Sequence, residues 1–241
     1  MKRFFVNHQL GDDFKLTDSE HHHLANVLRT RTGESVIVCC GDEFDYIYEA
    51  KNISKSATQM RFIEKQINKN NPACKLTVFM PLIKTEKLLL VTQKLNELGV
   101  SVMALFSAAN SNVSQKEIPV DKLTTIAQQS NKQCGRSISL IIQTIGDFKN
   151  ILEAVRRYSS IIFLDEKEQE NRISKVVIPK EHHASNIAII LGPEGGFTEQ
   201  ERMFLRQIKN VLPVKLGRRI LRAETAAIAA VSIIMAKLGE M

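Results

Sequence analysis

Two glycine-rich segments near the C-terminus hold the residues whose types and spacing are suited to chemistry. The first reads LGPEGGF over residues 191–197, and the second reads LGRRILRAETA over residues 216–226. Each follows a short apolar run and precedes a helical pattern, so we expect two loops to meet at one edge of a sheet, where open α/β sheets bind ligands. Neither segment contains a P-loop or a G-x-G-x-x-G fingerprint. A phosphate-cradling NTPase is therefore not expected.

The first segment has two compatible interpretations. Gly195-Gly196 allows positive φ and close backbone approach, and Pro193 stiffens the entry, so amides and carbonyls would line a flat ligand. The segment is also an ordinary turn into a helix, with Thr198 as the N-cap and Glu201 completing a capping box. Both interpretations stand, because the cap accounts for Thr198 and Glu201 but leaves the Pro-Glu-Gly-Gly run unexplained.

The chain divides into a strand-rich N-terminal part and an alternating C-terminal part, which we predict as domains at 1–70 and 75–241. The first part has β-rich runs at 4–6, 35–39, 44–50 and 58–63, a helix at 18–29 and a polar linker at 68–72. In the second part, strands are predicted at 76–82, 100–106, 137–144, 160–164, 186–191 and 212–216, and helices at 85–98, 121–133, 147–157, 198–209 and 223–238. This alternation predicts a parallel α/β sheet.

The bulk composition agrees with a folded protein that has a polyanionic partner. The chain has 241 residues, of which 44% are hydrophobic, and Lys and Arg exceed Asp and Glu by 33 − 26 = 7. The sequence pI of about 9.2 suits nucleic acid, although many proteins that bind none share it.

Other sequence features argue against a disulfide scaffold, a membrane span and a metal site. The cysteines Cys39, Cys40, Cys74 and Cys134 form no C-x-x-C pair, and the N-terminus lacks a signal-peptide run, so a reduced cytoplasmic setting is expected. No stretch approaches the roughly 18 apolar residues of a membrane span. The run His21-His22-His23 would point in three directions on a helix, so we predict no metal there.

The two glycine-rich segments resemble the paired signature of the bacterial 16S ribosomal RNA uridine-N3 methyltransferase family. That family belongs to the SPOUT class of S-adenosylmethionine-dependent RNA methyltransferases. Segments 3–6, 23–33 and 133–136, and Lys94 with 97–100, fall in the same order at similar spacing, so the resemblance is nearly end to end. It implies an N-terminal PUA-like RNA-binding domain and a SPOUT-type parallel sheet with a C-terminal trefoil knot. Only the resemblance supplies the knot, because threaded chains are rare.

The resemblance also implies the ligands and the partner copy. It implies S-adenosylmethionine as the cofactor, 16S ribosomal RNA or the small ribosomal subunit as the substrate, and a homodimer, with no metal. The helix predicted at 223–238 is apolar nearly all round, which favours burial on several sides and hence a partner helix.

The resemblance also implies site residues, at the positions of this sequence that match the family's motifs. For the cofactor the resemblance implies Leu164, Glu166, Leu191, Gly192, Glu194, Gly195, Gly196, Leu216, Gly217, Ile220, Leu221 and Arg222. For RNA it implies the basic residues in or beside the matched motifs, namely Arg3, Arg29, Arg31, Lys84, Lys87, Lys94 and Arg136. At Leu164 and Glu166 an acidic surface loop over residues 165–170 is an equally open interpretation.

Arg222, Arg219 and Glu194 are the candidate catalytic residues. Uracil N3 ionises like a weak phenol, so cationic groups beside the uracil oxygens would stabilise the developing anion without a strong base. Alternatively, one arginine forms a structural ion pair with Glu194 or Glu224. Glu224 lies in the first turn of the last helix, where the helix dipole already favours an acid. Glu194 would orient an amide, an arginine or the cofactor, and proton acceptance is its weaker role.

The chain departs from the family pattern in the front half of the second domain. Lys132 stands where a Glu is expected, no Pro follows Arg136, and 108–110 reads Ala-Ala-Asn in place of an Arg. These departures bear on RNA contact more than on methyl transfer. Two alternative functions stay open: a SPOUT enzyme with another target, a ribose 2′-hydroxyl or a tRNA base, and a ribosome-binding factor that has lost catalysis.

Overall fold

The computed structural model describes residues 1–179 and 186–241, and the chain divides into two compact units. Residues 1–71 with 131–139 form the first unit, and residues 72–130 with 140–241 form the second. The sequence predicts domains at 1–70 and 75–241. That prediction did not assign residues 131–139 to the first unit. His182-His183, to which the sequence assigns no role, lies outside the described residues.

The first unit is built on a five-stranded sheet. Its strands are β1 (Arg3–Phe5), β2 (Asp13–Leu16), β3 (Ser35–Cys39), β4 (Phe44–Ile53) and β5 (Thr58–Ile67), in the spatial order β1-β3-β4-β5-β2. The β1–β3 pair is parallel and the other pairs are antiparallel. Sequence patterning missed β2, because this short edge strand buries only its last residue, Leu16.

The helix predicted at 18–29 is shorter and changes geometry within its length. It consists of α1 (Asp18–His22) and a π-helical turn (His23–Val27) that ends with Leu28 N donating to His23 O at 2.9 Å. Arg29 follows in the left-handed region at φ 47°, which stops the helix. The Nδ1 atom of buried His21 lies 2.9 Å from Thr58 Oγ1, so this histidine is committed to the core of the unit.

A buried polar cluster ties β1 to β4 in the first unit. The guanidinium of Arg3 donates to both Asp45 carboxylate oxygens, at 2.5 and 2.9 Å, and Asn68 Nδ2 donates to Asp45 Oδ1 at 2.6 Å. Arg3 is only 8% exposed, so it is not available to RNA phosphate and that prediction is wrong. Asn68, predicted to begin a linker, is itself buried and also donates to Gly135 O.

The second unit is built on a six-stranded parallel sheet, which confirms the predicted fold class. Its strands are β6 (Lys75–Pro81), β7 (Val102–Ser107), β8 (Ile141–Asp147), β9 (Ser160–Leu164), β10 (Asn186–Ile190) and β11 (Val211–Val214), in the order β11-β9-β10-β6-β7-β8. The helices are α2 (Thr85–Glu97), α3 (Val120–Cys134), α4 (Phe148–Ala154), α5 (Glu199–Arg206) and α6 (Ala223–Lys237), and α3 belongs to the first unit from residue 131 onward. The trefoil knot stays a prediction.

Alternation along the central strands creates a hydrophobic core on each face of this sheet. On one face, Leu76, Val78 and Met80 of β6 pack in the same cluster as residues of α2 and α6. On the other face, Phe79 packs in a cluster with residues of α4 and α5. Burial on both faces explains why these strands read as continuous apolar runs.

The Arg3–Asp45 pair leads to a stability prediction for the first unit. Burial alone raises the pKa of Asp45, but the hydrogen bonds from Arg3 and Asn68 outweigh it and hold the pKa below its ordinary value. Asp45→Ala leaves a buried guanidinium without its counter-ion, so we expect urea unfolding to show a loss of about 3 kcal/mol at pH 7. The contribution of Asp45 is fully present above about pH 4, its unfolded-state value, and disappears as pH falls through the lower folded pKa.

The exposed Arg61–Glu49 pair on the same sheet supplies the control. Arg61→Ala is expected to cost clearly less, because exposed ion pairs are screened by water. Equal losses for the two variants would show that the buried pair has no special role.

Candidate functional site

Three neighbouring strands end at the same edge of the parallel sheet and send their loops around one cavity. These strands are β11, β9 and β10, which are adjacent and parallel. The cavity has a volume of about 800 Å³. It is lined by Lys84, Lys87, Leu164, Asp165, Glu166, Leu191, Gly192, Pro193, Glu194, Gly195, Gly196, Lys215, Leu216, Gly217, Arg218, Arg219, Ile220, Leu221, Arg222, Ala223 and Ala226. Every residue predicted for the cofactor and for catalysis is in this lining.

The first loop turns sharply and is held from outside the cavity. Gly196 N donates to Pro193 O at 2.8 Å, and Gly196 has φ +70°, a conformation that favours glycine. A Cβ on Gly195 would lie 2.9 Å from Asn110 Cβ, and Asn110 Nδ2 donates to Gly196 O at 3.0 Å. Position 195 therefore requires glycine because Asn110 approaches it closely. The sequence was interpreted differently, as requiring glycine there so that the backbone could approach a ligand.

The predicted helix cap after this loop is present. The Thr198 side chain accepts from Glu201 N, and the Glu201 carboxylate accepts from Thr198 N at 2.9 Å, which completes a capping box at α5. Glu201 also accepts from Ala109 N at 2.9 Å. The cap thus fixes the first loop to the segment after β7 as well as starting a helix.

The second loop is open toward solvent. A Cβ on Gly217 would meet no atom of the described residues within 4 Å, and Ile220 is 89% exposed. Arg219 and Arg222 are exposed, and Arg222 is the N-cap residue of α6 without a side-chain cap bond. Both guanidinium groups are therefore at the cavity wall and free to meet a ligand.

Lys87 pairs with Glu194 and Glu224, the carboxylates that the sequence offered as ion-pair partners for Arg219 or Arg222. Its Nζ donates to Glu194 Oε1 in a short contact and lies 3.7 Å from Glu224 Oε2, which itself accepts no hydrogen bond. Among the described residues, neither Arg219 nor Arg222 makes an ion pair with them, so that interpretation is wrong. The hydrogen bond from Lys87 holds the pKa of Glu194 below its ordinary value, which makes Glu194 a poor proton acceptor.

The third loop follows β9 and combines a buried acid with an exposed one. The Asp165 side chain is fully buried against two arginines of α5, whereas the Glu166 side chain is 41% exposed and lines the cavity. The predicted acidic surface loop is thus wrong for Asp165. Sequence reasoning missed both α5 arginines, Arg202 and Arg206, because their partners are distant in sequence.

The predicted RNA contacts separate into exposed and buried groups. Arg29, Arg31 and Lys84 are exposed. Arg136, like Arg3, is buried, at 3% exposure, so its guanidinium is not available to phosphate. Lys94 pairs with Glu97 within α2, at 2.9 Å. Arg218 and Lys215 line the cavity and were not predicted, although Arg218 adjoins Arg219 in the same motif.

One departure from the family pattern has a local explanation. Lys132 Nζ donates to Glu20 Oε1 at 2.6 Å, and Phe5 N donates to Glu20 Oε2 at 3.2 Å. The cation at 132 thus neutralises an acid that also holds the end of β1. Nothing in the structure explains the missing proline after Arg136.

The described part of the chain contains no group of three or more His, Cys, Asp or Glu side chains placed to hold a metal ion. In the same residues, no helix combines the length and the apolar character that crossing a bilayer requires.

Comparison with known proteins first defines the class. Residues 69–235 match the family model of the RNA methyltransferase domain, and residues 16–58 match that of the RNA methyltransferase PUA domain. A parallel sheet with a loop-lined cavity at its carboxyl edge, preceded by a PUA domain, is therefore the architecture of an RNA methyltransferase.

Curated relatives narrow the class to one family. The chain is 30% identical over 233 residues to ribosomal RNA small subunit methyltransferase E of Mesomycoplasma hyopneumoniae, covering 95% of this chain and 96% of that protein. It is 29% identical to the protein of the same name from Bacillus subtilis, covering 97% and 96%. The chain belongs to the ribosomal RNA small subunit methyltransferase E family. The Neisseria gonorrhoeae enzyme of this name, solved bound to S-adenosyl methionine, has the same fold, with a TM-score of 0.84, 24% identity and coverage of 98% and 97%.

Proposed function

We propose that this protein transfers a methyl group from S-adenosylmethionine to N3 of a uridine in 16S ribosomal RNA. The carrying observation is the convergence of the 164–166, 191–196 and 215–223 loops on one cavity. Family membership supports methylation of small-subunit ribosomal RNA, and the sequence resemblance supports uridine N3. A ribosomal substrate places the reaction in the cytoplasm.

The cavity suits S-adenosylmethionine in size and in lining. A volume of about 800 Å³ lies within the range of small-molecule sites, roughly 300–1,000 Å³. Backbone groups of the 191–196 and 216–222 loops would hold the adenosine, and the Glu166 carboxylate faces the same space. The ligand would supply an electrophilic methyl group on its sulfonium.

The residues around the cavity favour catalysis by placement and charge. Arg219 and Arg222 are cationic and exposed, and neither forms an ion pair with a described carboxylate, so they are free to stabilise negative charge on the uracil oxygens as N3 loses its proton. Glu194 is engaged by Lys87, so the N3 proton is expected to leave to water. The target base must leave its stack, while phosphate contacts from exposed basic residues position the RNA.

We also propose a homodimer, built on the face of α6 that the chain leaves partly open. Ala227, Ala230, Val231 and Ile234 are buried within the chain. The half-exposed residues along the middle of the helix are mostly apolar, namely Ala226, Ile228, Ala229, Ser232 and Ile233, and the half-exposed charges Glu224 and Lys237 lie near its two ends. Such a surface is suited to close packing against a copy of itself.

The activity test is to incubate the protein with labelled S-adenosylmethionine and either naked 16S ribosomal RNA or small subunits, and then to identify the methylated nucleoside. N3-methyluridine is the expected product. A 2′-O-methyl nucleoside, or transfer to tRNA alone, would overturn the proposed target. Absence of transfer with either substrate would overturn the proposed activity.

Arg222→Ala should lower the methylation rate by roughly 100-fold or more in this assay, because it removes a charge that stabilises the developing anion. Its melting temperature should stay near that of the wild type, since Arg222 is exposed and makes no ion pair with the residues that the structure describes. Arg222→Lys is the control and should recover part of the rate. A destabilised Arg222→Ala protein with normal activity per folded molecule would assign Arg222 to structure instead.

Gly217→Val should weaken S-adenosylmethionine binding by roughly 10-fold or more, or about 1.4 kcal/mol, in isothermal titration. A Cβ at this position would meet no atom of the described residues within 4 Å, and Gly217 lines the cavity, so folding should be unaffected. Gly11→Val is the matched control, because Gly11 also has open space around it and does not line the cavity. Normal affinity in a folded Gly217→Val protein would exclude the 216–222 loop from the cofactor site.

Light scattering at micromolar concentration should give a mass of about twice 27.2 kDa. Ile228→Glu, which places a charge at a half-exposed position of α6, should shift the mass toward one chain. A wild-type mass of one chain with full methyltransferase activity would contradict the dimer.

A further inference from the structure

A single buried guanidinium reaches two of the loops that surround the cavity. Arg202 of α5 has a side chain only 4% exposed. Its Nη1 donates to Asp165 Oδ1 in a short contact, and its Nη2 donates to Phe197 O at 3.0 Å and to Glu166 Oε1 at 3.3 Å. Arg202 therefore joins the loop after β9 to the end of the loop after β10.

The third strand is attached through Asp165. Asp165 N donates to Val214 O at 2.9 Å, at the end of β11. The fully buried Asp165 carboxylate also accepts from Arg206 Nη2 at 2.8 Å, and Arg206 donates to Glu168 Oε2 at 2.8 Å. The charged network behind the cavity wall thus holds the loop after β9 and the end of the loop after β10, and a backbone hydrogen bond joins Asp165 to β11.

Glu166 is the member of this network that faces the cavity. Its Oε1 accepts from Arg202 and lies where a Cβ on Gly196 would approach it to 2.9 Å, so the carboxylate rests against the Gly195-Gly196 turn. The carboxylate remains partly exposed in the lining. One bond to Arg202 consumes one lone pair, and the others remain available to hydrogen-bond donors of a ligand.

We infer that Arg202 is a positioning residue for the ligand cavity: it orients Glu166 as an acceptor for S-adenosylmethionine and fixes the Phe197 carbonyl that anchors the glycine turn. This inference rests on the proposed function, because it names the bound ligand. Arg202 does not itself line the cavity, so it acts through Glu166 and the turn. Its planar fork is needed to reach three acceptors at once.

Arg206 is a matched comparison on the same helix. It binds the same Asp165 carboxylate four residues along α5, but it contacts neither Glu166 nor Phe197. The Arg206 side chain is 38% exposed against 4% for Arg202, so the two variants are compared as folded protein. In that comparison, a purely structural network would make the two arginines equivalent in their effect on ligand binding. A positioning role predicts that only the change at Arg202 weakens ligand binding.

The first test compares Arg202→Lys with Arg206→Lys. Lysine keeps a charge beside Asp165 but cannot also fork to Phe197 O and Glu166. We expect the dissociation constant for S-adenosylmethionine to rise by roughly 10-fold in Arg202→Lys and by about 2-fold or less in Arg206→Lys. The KM for the cofactor should rise with it, while kcat at saturation changes little. Equal dissociation constants in both folded variants would overturn the inference.

The second test does not disturb the buried guanidinium and holds even where Arg202→Lys fails to fold. Glu166 and Glu199 both pair with Arg202, at 3.3 and 3.6 Å, but Glu199 is 66% exposed and does not line the cavity. Glu166→Ala should weaken S-adenosylmethionine binding by roughly 10-fold at an unchanged melting temperature, and Glu199→Ala should not. Equal affinities for the two variants would overturn the role assigned to Glu166.

A double-mutant cycle tests whether Arg202 acts through Glu166. In a Glu166→Ala background, Arg202→Lys should lose affinity by a smaller factor than it does alone, because the two changes share one contact. Fully additive losses would contradict the inferred coupling. Wild-type protein that fails to bind S-adenosylmethionine would instead refute the proposed function, and so the two failures are distinguishable.

Discussion

The parallel pairing of β9 with β10 on one side and β11 on the other is the constraint on which the site depends. The register places Phe163 beside Ile190 and Leu164 beside Val214, so the strands end at nearly the same level. Backbone bonds continue past the strands, from Asp165 N to Val214 O and from Leu191 N to Phe79 O. Three loops therefore start at one edge, and their backbone groups become the wall of a cavity.

Polar contacts on the far side of the glycine turn then preserve its shape. Asn110 holds the glycine turn from one side, and Arg202 holds its end from the other. Because these supports use side chains outside the lining or at its rim, backbone amides and carbonyls are left to face a ligand. The Thr198–Glu201 capping box serves the same end, since it fixes where α5 begins.

Charge at the cavity is arranged in two layers. The carboxylates Glu194, Asp165 and Glu166 are engaged by Lys87 and by the α5 arginines. Cations that form no close ion pair with a described carboxylate lie along the wall, namely Lys84, Arg218, Arg219 and Arg222. This arrangement suits a polyanionic substrate approaching a small bound ligand. Part of the net charge of +7 is thus located at the cavity.

The sequence by itself determined the parallel α/β class, most of its strands and the two glycine-rich loops that line the cavity. Those features depend on local patterns: apolar runs buried on both faces, helical periodicity, and glycines at strand ends. The prediction failed where pairing joins distant residues. Strand β8 begins at Ile141 and not at 137, because Ser137 N and Ile138 N bond to Asn71 Oδ1 instead of joining the sheet.

Only the tertiary structure decided the partners of the charged side chains. Arg3 pairs with Asp45 across 42 positions and Lys87 with Glu194 across 107, and no local pattern selects those partners. Burial removed Arg3 and Arg136 from the RNA candidates, and the approach of Asn110 gave Gly195 a reason that its own motif does not contain. The physical reason is that the role of a charged side chain or a glycine depends on which atoms the fold brings within a few ångströms of it.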